Sequence, residues 1–262
     1  MVRRRLWIPT KHTKRLMRKL EYLWSFPPMK NMPNLLIVGD SGAGKTSLIE
    51  ELLHLHPRYE SPDQEKSIIP IVYCEAPPDP DLGGFYNEIL FGMGLPPSKG
   101  RVDARRHHVQ EMLILVEARL LVIDEVHHGL HSGPQTRRVY LNAIKSLGNH
   151  VGVPIVAVGI REALVLFAYD PQIKRRFEKD ELPALKCDNE FRRVLVSLER
   201  LTVLRKASFL GEVSMARRLY DMSKGTMGKL ARVVAAAAAK AIETGEERIS
   251  YPILDAVETS EI

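Results

Sequence analysis

Residues 35–53 read LLIVGDSGAGKTSLIEELL, in which four apolar residues lead into a glycine-rich turn and then an amphipathic segment. Within this stretch, Gly39–Thr46 matches the spacing G-x4-G-K-[ST]. Glycines allow backbone N–H groups to wrap phosphate oxygens, because no Cβ atoms obstruct the approach. The N-terminus of the following helix adds its dipole. The stretch therefore predicts a strand, a phosphate-binding loop and a helix.

A second apolar stretch, RLLVIDE at residues 119–125, ends in two acids. We predict that Lys45 reaches the β- and γ-phosphates, that Thr46 and Asp124 bind Mg²⁺, and that Glu125 polarises the attacking water. These residues predict an Mg²⁺-dependent ATPase with ATP and Mg²⁺ as cofactors. The residues expected to line the phosphates are Gly39, Asp40, Ser41, Gly42, Ala43, Gly44, Lys45, Thr46 and Ser47.

Buried strands alternate with helices along the first two thirds of the chain, which predicts a parallel sheet with helices on both faces. Strands are expected at 35–38, 68–76, 119–125 and 153–159. After about Pro183 the pattern is helical, with helices expected at 189–201, 214–225 and 227–245. We predict three regions: a basic N-terminal arm and helix at 1–33, a nucleotide-binding core at 34–186, and an α-helical lid at 187–262.

The net charge of +6 is unevenly distributed. Residues 1–30 hold nine Lys and Arg residues and one acid, whereas the rest of the chain is slightly acidic. Two interpretations stay open, a solvated helix face and a contact with a polyanion. The two cysteines, Cys74 and Cys187, favour a reducing cytoplasm. No apolar run has the length of a membrane span, so no membrane partner is expected.

Catalysis also needs a positive group that stabilises the negative charge developing on the transferred phosphate. The segment DPQIKRRFEKD at 170–180 supplies Arg175 and Arg176, next to the apolar Phe177. In an ATPase of this layout, such an arginine faces the nucleotide of the neighbouring subunit. The sequence does not decide between the two arginines, and a plain surface cluster is the alternative. Adjacent histidines, as in His127–His128, are expected to point to different faces and not to share a metal.

The chain resembles the TniB/TnsC-type transposition regulators, AAA+ ATPases encoded by transposons, over most of residues 6–185. The blocks IPIVYCEAPP…FYNEIL and LNAIKSLGN…VPIVAVG carry the most specific likeness. The resemblance implies an AAA+ P-loop NTPase fold: a parallel five-stranded sheet flanked by helices, with a small C-terminal α-helical lid. It implies ATP-dependent homo-oligomers, as rings or helical filaments on double-stranded DNA. It also implies contacts with a transposase and a TniQ/TnsD-like target-selection protein in the bacterial cytoplasm, at the nucleoid during transposition.

The resemblance also assigns roles to residues outside the loop. It places Trp7, Ile8 and Pro9 near the adenine; the alternative is that Trp7 and Ile8 only pack the first helix. It makes Lys229 the first candidate, and Arg232 the second, for the basic residue of the lid that faces the nucleotide. It places the following residues on the DNA-facing surface, where a solvated helix start is the alternative: Lys99, Arg101, Arg105 and Arg106.

One position departs from the family pattern. Ile160 stands where the family usually has a threonine that senses the γ-phosphate. Isoleucine donates no hydrogen bond through its side chain, which predicts weaker sensing or hydrolysis. Three functions therefore stay in competition: an ATPase that assembles on target DNA and recruits or activates a transposase, a nucleotide-locked scaffold with slow hydrolysis, and another DNA-handling AAA+ protein such as a helicase loader. Target-selection mode, subunit number and hydrolysis rate stay open.

Overall fold

The apolar residues before the glycine-rich loop form a central strand, β1, in a computed structural model of the chain. The structure describes residues 7–27, 29, 31–62, 66–79 and 81–259. Arg3, Arg4, Arg5 and Lys30 of the predicted basic arm lie outside the described residues.

The strands are β1 (Asn34–Val38), β2 (Tyr59–Glu60), β3 (Ser67–Ile68), β4 (Ile71–Glu75), β5 (Leu120–Asp124), β6 (Ile155–Gly159) and β7 (Phe177–Glu181). The helices are α1 (Lys11–Ser25), α2 (Lys45–Leu55), α3 (Leu82–Gly92), α4 (Val102–Leu115), α5 (Pro134–Val151), α6 (Ala163–Ala168), α7 (Pro171–Arg176), α8 (Asn189–Glu199), α9 (Val213–Ser223), α10 (Met227–Glu243) and α11 (Tyr251–Thr259). A 3₁₀ helix covers Val126–His131.

Five strands form a parallel sheet in the order β4-β5-β6-β1-β7, and β2 pairs with β3 in a separate antiparallel hairpin. Every residue of β5 and β6 is buried, as expected for central strands covered by helices on both faces. The parallel register brings the carboxyl ends of neighbouring strands to one edge, with Glu75 opposite Asp124 and Val38 opposite Gly159. The predicted five-stranded parallel sheet is confirmed.

The fifth strand, β7, has the sequence FEKDE and lies at the edge of the sheet. Cations of α1 pair with its acids: Lys19 Nζ lies 2.6 Å from Glu178 Oε1 and 2.7 Å from Asp180 Oδ2. Burial acts to raise the pKa of Asp180, but hydrogen bonds from Lys19 and from the Glu181 N–H outweigh it, so the pKa is lowered. Part of the N-terminal positive charge therefore neutralises an acidic edge strand.

The chain divides into two compact units. The first holds the sheet and its helices, residues 15–39 and 45–182, and its core includes Phe85, Tyr140 and Phe167. The second holds described residues up to Lys14, the loop 40–44 and residues from Pro183 onward. Its core is formed by α8 to α11, with Phe191 and Leu230 fully buried. None of the helices in the described residues is long and apolar enough to span a bilayer.

Several predicted element boundaries were wrong. The strand expected at 68–76 is two strands, β3 and β4, and α4 ends at Leu115. A left-handed Glu117, with φ 54°, follows that helix end. Elements that the hydrophobic pattern did not place are β2, α6, α7, β7 and α11.

Candidate functional site

The loop between β1 and α2 turns through two glycines with positive φ, Gly42 at 75° and Gly44 at 99°. Side chains with a Cβ rarely adopt these conformations, so the loop depends on glycine at both positions. The Ala43 N–H donates to the Asp40 carbonyl at 3.1 Å and closes the turn.

The first turn of α10 lies directly against this loop, within the second unit. The Gly228 N–H donates to the Gly42 carbonyl oxygen at 2.8 Å. A Cβ on Gly228 would lie 3.1 Å from that oxygen and 3.2 Å from Gly42 Cα, so only glycine fits without displacing the loop. Lys229 and Arg232 follow on the same helix and line a cavity of about 210 Å³ with Met222, Val233 and Glu258.

Lys45, the first residue of α2, is buried, with 7% of its surface exposed. Its Nζ donates to the carbonyl of Gly39, the residue that opens the loop, at 2.8 Å. The neighbouring Thr46 is exposed, and its Oγ1 lies 3.5 Å from Asp124 Oδ2. The structure therefore brings together the lysine, the hydroxyl and the carboxylate that the sequence motifs selected.

Asp124 ends the buried strand β5 and is 2% exposed. Its Oδ1 accepts the Glu125 N–H at 2.8 Å, and its Oδ2 accepts the Tyr73 hydroxyl at 3.3 Å. The same hydroxyl lies 3.1 Å from Glu75 Oε1, so the two carboxylates share its single proton. Burial, followed by the charges of Asp124 and Glu75, raises the pKa of Tyr73, so the phenol stays protonated and able to donate. Asp124 is thus held in one orientation.

Tyr73 is a site residue that the sequence motifs do not predict, although the strand pattern contains a signal for it. Tyr73 and Glu75 alternate at the end of β4, which places them on the same face of the sheet. The register pairs Glu75 with Asp124. A polar pair at the carboxyl end of a neighbouring parallel strand therefore reaches the same sheet edge.

Glu125 follows β5 in the left-handed conformation, with φ 52° and ψ 30°. Burial raises the pKa of its carboxyl group, and the charge of Asp124 raises it further, whereas Lys45 acts in the opposite direction. A carboxylate with a raised pKa is a better proton acceptor at neutral pH than a solvated glutamate. The position of Glu125 at the end of β5 and the raised pKa of its carboxyl group suit a base that accepts a proton from water.

The segment after Glu125 differs from the sequence expectation. His127 and His128 belong to a 3₁₀ helix, and their ring centroids lie 4.8 Å apart. One ligand atom from each of Glu125, His127 and His128 lies within 4.8 Å of the others. The expectation that adjacent histidines would point to different faces was therefore wrong, because the tighter 3₁₀ turn directs both rings to one side.

Arg175 and Arg176 differ in their surroundings. Arg176 is half-buried; its Nη1 donates to Asn149 Oδ1 at 2.6 Å and its Nη2 to Asn31 Oδ1 at 3.1 Å. Arg175 is exposed, and its Nε donates to the Pro171 carbonyl of its own helix at 3.3 Å. Arg176 is thus fixed within the subunit, whereas Arg175 projects to solvent.

The remaining predicted residues differ in their surroundings. Ile8 is buried in the core of the C-terminal helices. Lys99 and Arg101 are exposed just before α4, while Arg105 bonds the Gly100 carbonyl at 3.2 Å and Arg106 lies 3.3 Å from Asp103. Four further positions are at least partly accessible to solvent: Asp40, Ser41, Ser47 and Ile160.

The family model described as "Bacterial TniB protein" matches residues 1–187. No curated protein sequence matches the chain.

Solved structures share the fold. Cdc6p of Pyrobaculum aerophilum superposes with a TM-score of 0.65 at 16% identity, over 93% of this chain and 66% of that one. The Aeropyrum pernix Orc1 protein, solved in complex with DNA, superposes with a TM-score of 0.68 at 16% identity, over 96% of this chain and 66% of that one. The Thermotoga maritima RuvB Holliday junction branch migration motor superposes with a TM-score of 0.61 at 15% identity, over 97% of this chain and 70% of that one. The chain thus spans about two thirds of the length of these proteins, and the likeness shows the AAA+ ATPase fold.

Proposed function

The chain belongs to the family of bacterial TniB proteins, and from this premise we propose that it is an ATP-dependent regulator of DNA transposition. Family and fold support a transposition-associated AAA+ ATPase. The finer proposal is that it oligomerises on target DNA, hydrolyses ATP and recruits or activates a transposase. We also propose the division into an N-terminal region at 1–33, a nucleotide-binding core at 34–186 and a lid at 187–262.

The observation that carries this proposal is the cluster formed by Lys45, Thr46, Asp124 and Glu125. Buried charged residues are rare unless they are paired or bind a ligand. Lys45 is buried with its ammonium group on a backbone carbonyl, and Asp124 is buried at the end of the sheet. A hydroxyl and a carboxylate 3.5 Å apart are the hard oxygen donors that Mg²⁺ prefers, so these residues fit the ion.

In the proposed reaction, water attacks the γ-phosphorus of ATP and the bond to the bridging oxygen of ADP breaks. Glu125 accepts the proton of the water, and the raised pKa of its carboxyl group supports this role. Bound Mg²⁺ would supply charge neutralisation on the phosphates, with Thr46 and Asp124 as its protein ligands. Gly39 to Ser47 would wrap the phosphates, and Ile8 and Lys229 would contact the nucleotide. Arg175 or Arg176 would reach the neighbouring subunit's nucleotide.

The DNA part of the proposal rests on the exposed cations before α4. Lys99 and Arg101 carry charges that can neutralise phosphates, and Arg105 and Arg106 extend this basic surface. Phosphate contacts position a protein without selecting bases, which suits a regulator that accepts many sequences. Substituting Lys99 or Arg101 by alanine should weaken binding to every duplex similarly. Each substitution should also reduce the slope of the logarithm of the binding constant against the logarithm of salt concentration by about one.

The remaining partners are proposed from family membership. They are a homo-oligomer in ring or filament form, a transposase, and a target-selection protein of the TniQ/TnsD type, in the bacterial cytoplasm and at the nucleoid during transposition.

A second candidate function is a nucleotide-locked scaffold in which hydrolysis is slow. Ile160, directly after β6, favours it, because its side chain donates no hydrogen bond to a γ-phosphate. Under this alternative, Glu125→Gln supports target selection as well as wild type does.

ATP turnover measured with and without duplex DNA tests the proposal. Glu125→Gln should still bind nucleotide, but its turnover should fall by about 10²-fold or more. Lys45→Ala should bind the nucleotide more weakly. Glu111→Gln is a matched control, since it removes an exposed carboxylate of α4 that is not part of this cluster, and it should leave turnover unchanged. Absence of turnover in any DNA-bound, ATP-containing state would reject the enzyme.

Imaging with duplex DNA and a slowly hydrolysed ATP analogue would report the oligomer and the path of the DNA. Unchanged nucleotide affinity and unchanged assembly on DNA in Lys45→Ala would reject the proposed nucleotide site as a whole.

A further inference from the structure

The side chains of Glu125, His127 and His128 converge directly after β5. We propose that these three residues bind a divalent transition metal of the Zn²⁺ class, at a site separate from the Mg²⁺ ligands Thr46 and Asp124. The binding itself does not depend on the proposed function; its inhibitory consequence, given below, does.

The donor set selects the class of ion. Two imidazole nitrogens and one carboxylate oxygen form a recurrent three-residue zinc set, with the remaining position left to water. Mg²⁺ and Ca²⁺ prefer oxygen ligands alone, whereas imidazole suits zinc and the neighbouring transition metals. The site is therefore chemically distinct from the oxygen pair of Thr46 and Asp124.

The distances are compatible with one ion. Zinc bonds of about 2.0–2.1 Å in tetrahedral geometry place ligand atoms about 3.4 Å apart. His127 Nδ1 already lies 3.2 Å from Glu125 Oε2. The longest separation in the group is within 4.8 Å, so a side-chain rotation that closes about 1.4 Å completes it.

The orientation of His128 resembles that of a metal ligand. Its Nδ1 lies 3.0 Å from the Ala76 carbonyl oxygen, which can only accept, so Nδ1 carries the proton. Nε2 then carries the lone pair. Metal-binding histidines commonly donate their second N–H to a backbone carbonyl in this way, which fixes the tautomer. Ala76 is in turn anchored to β5 by its N–H bond to the Asp124 carbonyl at 2.8 Å.

His127 supplies a second, independent observation. Its Nδ1 is buried and makes no hydrogen bond to any described residue, because its approach to Glu125 lacks hydrogen-bond geometry. A buried polar atom without a partner is costly, and a metal ion would satisfy it.

Occupancy of this site would inhibit hydrolysis. Glu125 is the proposed proton acceptor, and a carboxylate that ligates a metal is no longer free to accept a proton from water. Zinc would therefore act as a negative regulator of turnover without competing for the Mg²⁺ ligands.

Metal binding is measured first, without nucleotide. Titration calorimetry with Zn²⁺, and visible absorption with Co²⁺ as the spectroscopic probe, are performed on the full chain carrying Cys187→Ser, which removes the exposed thiol. We expect one equivalent of metal and a tetrahedral Co²⁺ spectrum. His127→Ala and His128→Ala should weaken Zn²⁺ binding by about tenfold or more. Glu125→Gln, which preserves side-chain size, should weaken it as well.

His131→Ala is the matched control. His131 is exposed and its ring centroid lies 5.7 Å from that of His128, yet it is not part of the three-residue group. It should bind zinc as the parent does. Circular dichroism confirms that each variant is folded, and Glu125→Gln decides the question if a histidine variant is not. Absence of stoichiometric binding, or equal binding by all variants, would overturn the proposal.

ATP turnover is then measured against Zn²⁺ concentration, with each variant normalised to its own metal-free rate. Inhibition should require about tenfold more zinc in His128→Ala than in His131→Ala, in proportion to the loss of affinity. If the chain binds zinc as described but hydrolyses no ATP, the metal site stands and the proposed function fails. If it hydrolyses ATP and binds no zinc, the opposite holds.

Discussion

Arg175 and Arg176 are adjacent, yet we predict opposite consequences for their removal. Arg176 donates two hydrogen bonds to side-chain amides of its own subunit, Asn149 and Asn31. Arg175 is exposed, and its bond to a described residue comes from Nε, toward the carbonyl of Pro171. An arginine that acts on a neighbouring subunit needs its terminal nitrogens accessible. We therefore expect Arg175 to act in catalysis and Arg176 to stabilise the fold.

The magnitudes separate the two roles. Each bond of Arg176 contributes a net of about 0.5–1.5 kcal/mol, and partial exposure places the total at about 1–2 kcal/mol. For a chain of this size, Arg176→Ala should lower Tm by about 2–8 °C, with turnover of the assembled protein reduced only slightly. Arg175→Ala should leave Tm within about 1 °C, because exposed substitutions away from special features change stability little. It should reduce turnover by about 10³-fold, as expected for an arginine supplied in trans.

Thermal unfolding and DNA-stimulated ATP turnover are measured on both variants at equal protein concentration. A mixing experiment then tests action across the interface. Subunits with Arg175→Ala retain Glu125, and subunits with Glu125→Gln retain Arg175. In an equal mixture, about a quarter of head-to-tail interfaces combine both intact residues, so turnover should reappear at about that fraction of the wild-type rate.

The opposite pattern would refute this reasoning. Loss of turnover in Arg176→Ala at unchanged Tm, with Arg175→Ala active, would show that the two amide contacts do not hold Arg176 within its own subunit. No recovery in the mixture, with both variants bound to DNA, would show that Arg175 does not act between subunits.

Three further outcomes follow from the geometry. In the pH–rate profile, turnover should fall on the acid side with an apparent pKa above 4.5, because burial and then the charge of Asp124 raise the pKa of Glu125. An apparent pKa at or below 4.5 would contradict the role of Glu125 as proton acceptor. Asp180→Asn should lower the unfolding free energy by about 1–2 kcal/mol in denaturant titrations, since it removes the ion pair with Lys19. Because the folded pKa of Asp180 is lowered, this contribution is present above its ordinary 3.8 and is lost as pH falls through the folded value, so the two proteins should converge in acid. Gly228→Ala should raise the nucleotide Kd about three- to tenfold by displacing the loop, with Tm nearly unchanged because alanine favours the helix; unchanged affinity by equilibrium binding would argue against this.

The elements that the sequence located are those whose hydrophobic pattern is unambiguous. β1, β5 and β6 are short runs that are apolar apart from Asn34 and Asp124 at strand ends, because strands in the middle of a parallel sheet are buried on both faces. β7 was not located, since FEKDE has the composition of a loop. It is a strand because its backbone pairs with β1 and its acids with α1, and neither interaction is local in sequence.

The chemistry of the site divides in the same way. Gly39–Thr46 and the pair Asp124–Glu125 are identifiable from sequence alone, because phosphate binding fixes both the residue types and their spacing. Tertiary structure alone decided that Tyr73 fixes Asp124, and that a 3₁₀ turn brings His127 beside Glu125. These side chains meet through sheet register and a tight turn, so their contacts depend on distances that linear spacing does not encode.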